Sequence, residues 1–375
     1  MVTFKTMDSS ILSLIILMFL YVSAYNRSEK IYTEYKLFIS LIETNMIIIV
    51  IDIFGWVFNG LPGAQNMFLN TASNMVLYIL VPLGPILWTL YSAFQVSHNE
   101  IVVKKLQNIL KILFTIHAVV AVLSLYTGWF FTVDSQNFYH REDYFWIHIA
   151  FCYSFLIYSL YIIIKNRAKV ETKYYYSMLL YVLPISIGGL LQTLFYGVSL
   201  TWSGMMLSIL IIYFNIQDKA LNTDYLSGLY NRRRLESYLH VKIQNSSENR
   251  SFSGIIIDLN RFKEINDEYG HDVGDKAIKD TAMILKKSLE PNDFIARYGG
   301  DEFFIILDID NREILDQVVE KIYENVDCYN TFRQAPYEIS FSIGYDIYDH
   351  KTALGTDEFL RHIDLLMYKN KRSRV

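Results

Sequence analysis

From Ile11 to Ile216 the chain alternates long apolar stretches with short polar ones, each stretch close to the ~20 residues that cross a bilayer as a helix. Seven are present, at 9–25, 38–58, 72–94, 112–132, 144–164, 176–197 and 200–216, and they predict an all-α transmembrane bundle over residues 1–216. Past Ile216 the runs shorten and become charged. The stretch from Leu207 to Leu221 is predicted to continue as one stiff helix through Gln217-Asp218-Lys219-Ala220 and to stop near Asn222-Thr223-Asp224, making 217–224 a helical linker. Residues 225–375 then alternate amphipathic and short apolar runs. They predict helices at 232–242, 261–269, 274–288, 312–325 and 356–371, and strands at 254–258, 294–296, 303–307 and 337–342. That order makes an α/β domain with a central antiparallel-rich sheet flanked by helices.

Lysines and arginines orient the first part, because cytoplasmic connections carry the positive excess. Arg27, Lys30 and Lys36 fall in the first connection, Lys104, Lys105 and Lys111 in the third, and Lys165, Arg167, Lys169 and Lys173 in the fifth. The second and sixth have none, and the fourth only Arg141. This alternation predicts a multi-pass protein of the inner or plasma membrane, N-terminus outside and C-terminal domain in the cytoplasm, and it requires an odd number of spans. Composition agrees, since 52% hydrophobic and 15% aromatic residues exceed what a soluble protein carries. A net charge of −4 and a pI near 6.1 give no support for a nucleic-acid surface. The two cysteines, Cys152 and Cys328, make no disulfide framework or metal spacing and read as packing residues.

Several polar side chains interrupt the spans: Glu43, Asn45 and Asp52 in the second, His117 in the fourth, His148 in the fifth and Gln192 in the sixth. They are expensive in lipid and are predicted to bond neighbouring helices or, for Glu43 and the two histidines, to lie near an interface; alternatively they line a ligand or proton site. Pro82, Pro85 and Pro184 predict kinks. Seven short-looped spans without an inverted repeat read as a sensor rather than a transporter. On topology alone they resemble the seven-helix sensory regions of bacterial signalling receptors.

Candidate chemistry lies in the second half. Arg297-Tyr298-Gly299-Gly300-Asp301-Glu302-Phe303 predicts a hairpin with two carboxylates at its tip, either an ordinary solvated turn or a place for Mg²⁺. Gly254-Ile255-Ile256-Ile257-Asp258 reads as a strand ending in an acid, followed at once by a helix whose free N–H groups suit phosphate. Tyr269-Gly270-His271 and Gly274-Asp275 read as a turn between two helices that gathers polar groups on the side of Asn266. An amide and a carboxylate together can read guanine.

In order and spacing, Asp224-x-Leu-Ser-Gly-Leu-x-Asn-Arg-Arg, Asp258-Leu-Asn-x-Phe-Lys-x-x-Asn266-Asp, Gly270-His271-x-x-Gly274-Asp275, Gly299-Gly-Asp-Glu-Phe and Met367-Tyr368-x-x-Lys371 make residues 220–375 resemble the GGDEF family of diguanylate cyclases. The resemblance implies a fold related to nucleotide cyclases and polymerase palms. It implies condensation of two GTP into cyclic di-GMP and pyrophosphate with Mg²⁺ or Mn²⁺, by two domains facing each other in a homodimer. By matching positions, Asp258, the Leu259 carbonyl and Asp301 would bind the metals. Asp301 would assist deprotonation of the 3′-hydroxyl, with Glu302 as second carboxylate. N–H groups of Arg261 and Phe262, with Lys263 and Lys371, would hold phosphates; Asn266 and Asp275 would read guanine, His271 would line that pocket, and Gly300 would leave room for the nucleotide. The partners implied are GTP, cyclic di-GMP as product, the lipid bilayer and a second copy, with no nucleic acid.

Departures from the family pattern carry unequal weight. Asn260 stands for a commoner second acid and Ser227 for Thr, and neither touches a metal in this scheme. The sequence stops at Val375 where the family often continues Gly-Arg-Asn, which weakens the expected phosphate contact from that end unless Arg374 substitutes for it. Glu290-Pro291-Asn292-Asp293 replaces the Arg-x-x-Asp of the family's product-inhibition site, and its leading acid implies that feedback is lost. The presence of Asp258, Asn266, Asp275, Asp301 and Glu302 favours an active cyclase over a catalytically silent GTP-binding signalling receptor, and Asp275 favours guanine over mixed purines.

Overall fold

The computed structural model describes residues 2–25, 33–170, 172–195, 199–248, 250–290, 293–332 and 335–373. The chain divides into two compact units, Met1–Ile216 and Gln217–Val375. Arg27, Lys30, Pro291, Asn292 and Arg374 lie outside the described residues.

Helices run at α1 Val2–Tyr25, α2 Thr33–Phe58, α3 Ala64–Leu80, α4 Leu83–Ser97 and α5 Glu100–Thr127. A hairpin of β1 Phe131–Val133 and β2 Tyr139–Arg141 follows, then α6 Phe145–Lys165, α7 Thr172–Leu194 and α8 Thr201–Asn222. Among the described residues, six stretches are long and apolar enough to cross a membrane: Met7–Tyr25, Thr33–Phe58, Ala64–Ser97, Glu100–Thr127, Phe145–Lys165 and Tyr174–Leu194. Helix α8 is not among them, because Asn215, Gln217, Asp218 and Lys219 dilute its second half. Its first half is nonetheless an integral bundle member. Trp202, Met205, Ile209 and Ile212 share one buried core with Leu17, Ile42 and Trp88. Ser10 and Ser13 of α1 meet Ser199 and Ser203 at 3.1 and 3.2 Å, polar links suited to helices in an apolar solvent. A Cβ on Gly204 would come within 2.3 Å of the Pro184 carbonyl oxygen, so only glycine permits this approach of α8 to α7. The outer surface is apolar, with Phe19 73% and Ile157 65% exposed, as lipid contact would require.

Two predicted spans change shape. The fourth, expected at 112–132, begins earlier because the Asn99 side chain caps α5 by accepting from the amides of Ile101 and Val102. It ends earlier because Gly128, at φ 68°, turns the chain. Lys104, Lys105 and Lys111 therefore sit on a helix, and residues 131–133 pair with 139–141 instead of spanning. The third, expected at 72–94, is part of a longer stretch broken at Val81-Pro82 into α3 and α4, as a residue without an N–H predicts. Buried Asn137 fastens the hairpin: its amide donates to the carbonyls of Phe58 and Leu61, both at 2.8 Å, and its own side-chain oxygen accepts from Asn70 at 2.9 Å.

In the second unit come β3 Tyr230–Asn231, α9 Arg232–Gln244, β4 Ser253–Leu259, α10 Phe262–Tyr269 and α11 His271–Ser288. They are followed by β5 Phe294–Arg297, β6 Glu302–Leu307, α12 Arg312–Phe332, β7 Phe341–Ile347 and α13 Thr356–Ser373. The sheet order is β3-β5-β6-β4-β7, antiparallel except for the β3–β5 edge. Strand alternation builds two cores. Ile255, Ile257, Phe303 and Ile305 pack with Ile278 and Leu285 of α11 and Leu315 and Ile322 of α12. Ile256, Phe304 and Ile306 pack on the other face with Leu235 and Leu239 of α9 and Phe359 and Ile363 of α13.

Three local expectations fail for identifiable reasons. Gly274 lies inside α11 rather than in a turn, and Gly270, at φ 87°, alone reverses the chain there. The strand expected at 337–342 starts at Phe341, because the Asn330 side chain takes both the N–H and the carbonyl of Ile339, at 3.0 and 2.8 Å. Cys152 is buried as expected of a packing residue, but Cys328 is exposed on α12.

Candidate functional site

Antiparallel pairing of β4 with β6 sets Asp258 opposite Glu302. The tight turn before β6 adds Asp301, whose carbonyl accepts from the Leu259 amide at 3.1 Å. Three carboxylates thus gather at one end of two central strands. Burial, and after it the charge of Asp258, raises the pKa of Asp301. Glu302 is raised by burial, then by Asp258, Asp301 and Asp364. From α13, Lys371 donates to Asp258 Oδ1 at 2.6 Å.

Among the described residues no three acidic, histidine or cysteine side chains are already arranged around a metal position. The Lys371 ammonium supplies a cation to Asp258 instead. Carboxylates that repel one another beside the Leu259 carbonyl are the hard oxygen donors that Mg²⁺ takes, so the set fits such an ion.

A second set of bonds aims the turn. The Arg297 guanidinium donates to the Gly300 carbonyl from Nε and Nη2, at 3.1 and 2.7 Å, and to Asp224 Oδ1 from Nη1 at 3.0 Å. Asp224 also accepts from the amide and hydroxyl of Ser227, at 2.8 and 2.7 Å. Burial opposes its ionisation, but the bonds from Ser227 and Arg297 outweigh that and lower its pKa. Asp224 and Arg297 are positioning residues that sequence reasoning left without a role. They are distant in the chain, and only the pairing of β3 with β5 brings them together. Asp224→Ala is expected to cost about 1.5–3 kcal/mol, the range for hydrogen bonds to charged groups. A depressed native pKa means that this stability is present above the unfolded carboxylate value and is lost as pH falls through the native one. Urea denaturation at neutral and acid pH should therefore show the gap between wild type and Asp224→Ala closing on acidification.

The neighbouring helix start is open. Arg261 takes the left-handed N-cap position of α10 at φ 55°, with no side-chain cap, leaving the first-turn N–H groups around Phe262 and Lys263 available to an anion. Asn260 is a brace, its side-chain oxygen accepting from the Ser342 hydroxyl at 2.7 Å while its backbone N–H donates to the Ser340 carbonyl at 2.9 Å. Half-buried Asn266 packs on Gly274, where a Cβ would stand 2.0 Å from its Oδ1. His271 and Asp275 are exposed on the first turns of α11. So Asp258, Leu259, Asp301, Glu302 and Lys371 form one directly bonded or charge-coupled group, while Asn266, His271 and Asp275 cluster separately around the α10–α11 turn.

Residues 221–375 match the family model described as "Diguanylate cyclase, GGDEF domain". They form a GGDEF domain. The chain is 33% identical over 153 residues to "Probable diguanylate cyclase DgcT" of Escherichia coli strain K12, covering 40% of this chain and 33% of that one. It is 35% identical over 159 residues to "Diguanylate cyclase DgcP" of Pseudomonas aeruginosa, covering 42% and 23%. It is also 30% identical over 152 residues to "Cyclic di-GMP phosphodiesterase PdeR" of Escherichia coli strain K12, covering 40% and 22%. The matched part thus spans a third or less of these relatives' length.

Proposed function

We propose that the protein is a membrane-bound diguanylate cyclase, condensing two GTP into cyclic di-GMP and pyrophosphate under control of its helical first unit. The observation that carries this is the meeting of Asp258, Asp301 and Glu302 at one end of β4 and β6 beside the uncapped start of α10. Divalent ions bound there would stabilise the attacking 3′-oxygen and the leaving pyrophosphate. Asp258, the Leu259 carbonyl and Asp301 would hold them. Lys371 would exchange Asp258 for substrate phosphate as its carboxylate partner is taken. The amides of Arg261 and Phe262, with Lys263, would orient the triphosphate; Asn266 and Asp275 would read guanine beside His271. Asp301, backed by Glu302, would receive the 3′-hydroxyl proton. Two such domains facing each other are required, hence a homodimer.

We read the first unit as seven membrane helices, α8 included, with the N-terminus outside and the GGDEF domain in the cytoplasm. The hydrogen bonds and core packing that tie α8 to α1 support counting it. A second reading, a silent GTP-binding receptor, is favoured by the likeness to a protein named as a phosphodiesterase. Incubating the purified chain in lipid with Mg²⁺ and GTP, and identifying products by mass spectrometry beside Asp301→Ala, separates the two. Cyclic di-GMP from wild type alone supports the cyclase, and its absence in every lipid environment supports the receptor.

Product feedback is expected to be missing. Asp293 accepts from the Glu290 amide at 2.8 Å, and burial, then the charges of Glu290 and Asp308, raise its pKa. A carboxylate that closes its own turn among acids is poorly placed to receive an anionic dinucleotide. Initial rates with submicromolar to micromolar cyclic di-GMP added should stay at the uninhibited value, and inhibition removed by Asp293→Ala would refute this.

A further inference from the structure

We propose that a cavity inside the first unit binds a small protonated amine with an aromatic or apolar body. The cavity, of about 200 Å³, lies among α2, α3, α6, α7 and α8 and reaches the β1–β2 hairpin. A void of about 150 Å³ holds a benzene ring, so this one has room for a ring and a short polar arm. Helix α2 turns one face to it, with Asn45, Ile48, Asp52 and Gly55 at three- and four-residue spacing.

Three buried polar atoms of residues lining the cavity have no hydrogen-bond partner among the described residues: Asp52 Oδ2, Asn45 Oδ1 and Trp202 Nε1. Their residues are 7%, 0% and 5% exposed. Trp202 and Ser199 stand beside Asp52, yet neither closes a bond on Oδ2 at normal geometry. The cavity's cation is engaged elsewhere. Arg141 directs its terminal nitrogens to the carbonyls of Thr193 and Gln192, at 2.9 and 3.1 Å, where the end of α7 favours positive charge. No ion pair to Asp52 occurs among the described residues. A carboxylate so placed among membrane helices is costly until a partner arrives.

The identity of the unpartnered atoms selects the occupant. Asp52 and Asn45 present acceptors, so the ligand must bring donors. An ammonium answers the carboxylate, and the aromatic walls of Trp202, Tyr78, Tyr153 and Phe145 suit both a cation and an apolar body. An anion would set a second negative charge against Asp52 while Arg141 is occupied.

This inference rests on reading residues 1–216 as a membrane sensor, and its test measures binding directly. The full chain in lipid nanodiscs is titrated with phenethylamine, N-acetylphenethylamine and phenylacetate by saturation-transfer NMR and calorimetry. The expected result is saturable binding of the amine, at least tenfold weaker for the acetylated and anionic probes and for Asp52→Asn. Trp202→Ala, which removes an aromatic wall from the cavity, should weaken it several-fold. Equal binding of phenylacetate, undiminished amine binding by Asp52→Asn, or no saturable amine binding at millimolar concentration overturns the proposal. Where Asp52→Asn does not fold, the three probes on wild type decide. Amine binding that leaves the cyclase rate unchanged supports the site and sinks the sensor reading. Failure to bind sinks the site, while membrane extraction of the chain tests the sensor reading separately.

Discussion

Asp301→Asn is expected to lower cyclic di-GMP formation by roughly a thousandfold while raising the thermal midpoint of the metal-free protein at neutral pH. The first effect follows if Asp301 holds a metal as proposed, a role worth several kcal/mol in the transition state at tenfold per 1.36 kcal/mol. The second follows from the sign of the shifts. Burial and the nearby charge of Asp258 raise the native pKa of Asp301, as burial, Asp258 and Asp301 raise that of Glu302. A group whose native pKa lies above its unfolded value favours the folded state at low pH, and that contribution is lost as pH rises through the native value. Removing the charge therefore relieves repulsion at neutral pH, where Lys371, bonded to Asp258, and Arg297 offset the charge of Asp301 only in part. Adding Mg²⁺ should reverse the order, stabilising wild type and leaving Asp301→Asn unmoved. Thermal melts of both proteins with and without Mg²⁺ make the check. A variant no more stable than wild type without metal would mean that the three acids are not charge-coupled as their positions imply.

The second large effect is expected at Gly300. A Cβ built there meets nothing within 4 Å, and its backbone is not left-handed, so Gly300→Val should leave stability within about 0.5 kcal/mol. Turnover should fall by about a hundredfold, the scale of a misplacement near 1 Å in a reacting group, because the added side chain fills space left for the nucleotide. Gly299 contrasts with it: a Cβ there would stand 2.7 Å from Glu302 Oε2, so Gly299→Val should push that carboxylate aside and lower activity with little cost in stability. Denaturation and initial rates on Gly300→Val settle the matter. Full activity would show that nucleotide does not approach this turn.

Much of the second unit was legible because its signals are local. The apolar run of 254–257 ending in Asp258, and the glycine pair before Asp301, lie where strand pairing and a tight turn must place them. Gly274 was legible as important yet misread in kind. Its spacing suggested a turn, whereas its role is the absence of a Cβ against Asn266, a contact no window of sequence displays. The start of the strand predicted at 337–342 failed similarly, because a side chain of α12 competes with the sheet for the backbone of Ile339.

In the first unit, hydropathy alone identified where apolar helices run, since a bilayer-length apolar segment must hydrogen-bond within itself whatever its neighbours do. It also marked Asn45, Asp52, His148 and Gln192 as out of place. That these four line one cavity, while Glu43 accepts from Tyr21 and His117 from or to His148, was decided by helix packing. The same division holds across the chain. Periodicity and short-range spacing carried most of the elements and the whole chemical inventory. Only packing settled that Arg297 aims the Gly300 carbonyl from a grip on Asp224, that Lys371 guards Asp258, and that Asp52 faces a cavity with its Oδ2 unpaired among the described residues. Each of these depends on contacts between residues far apart in the chain, whose geometry comes into being only when the helices and the sheet pack.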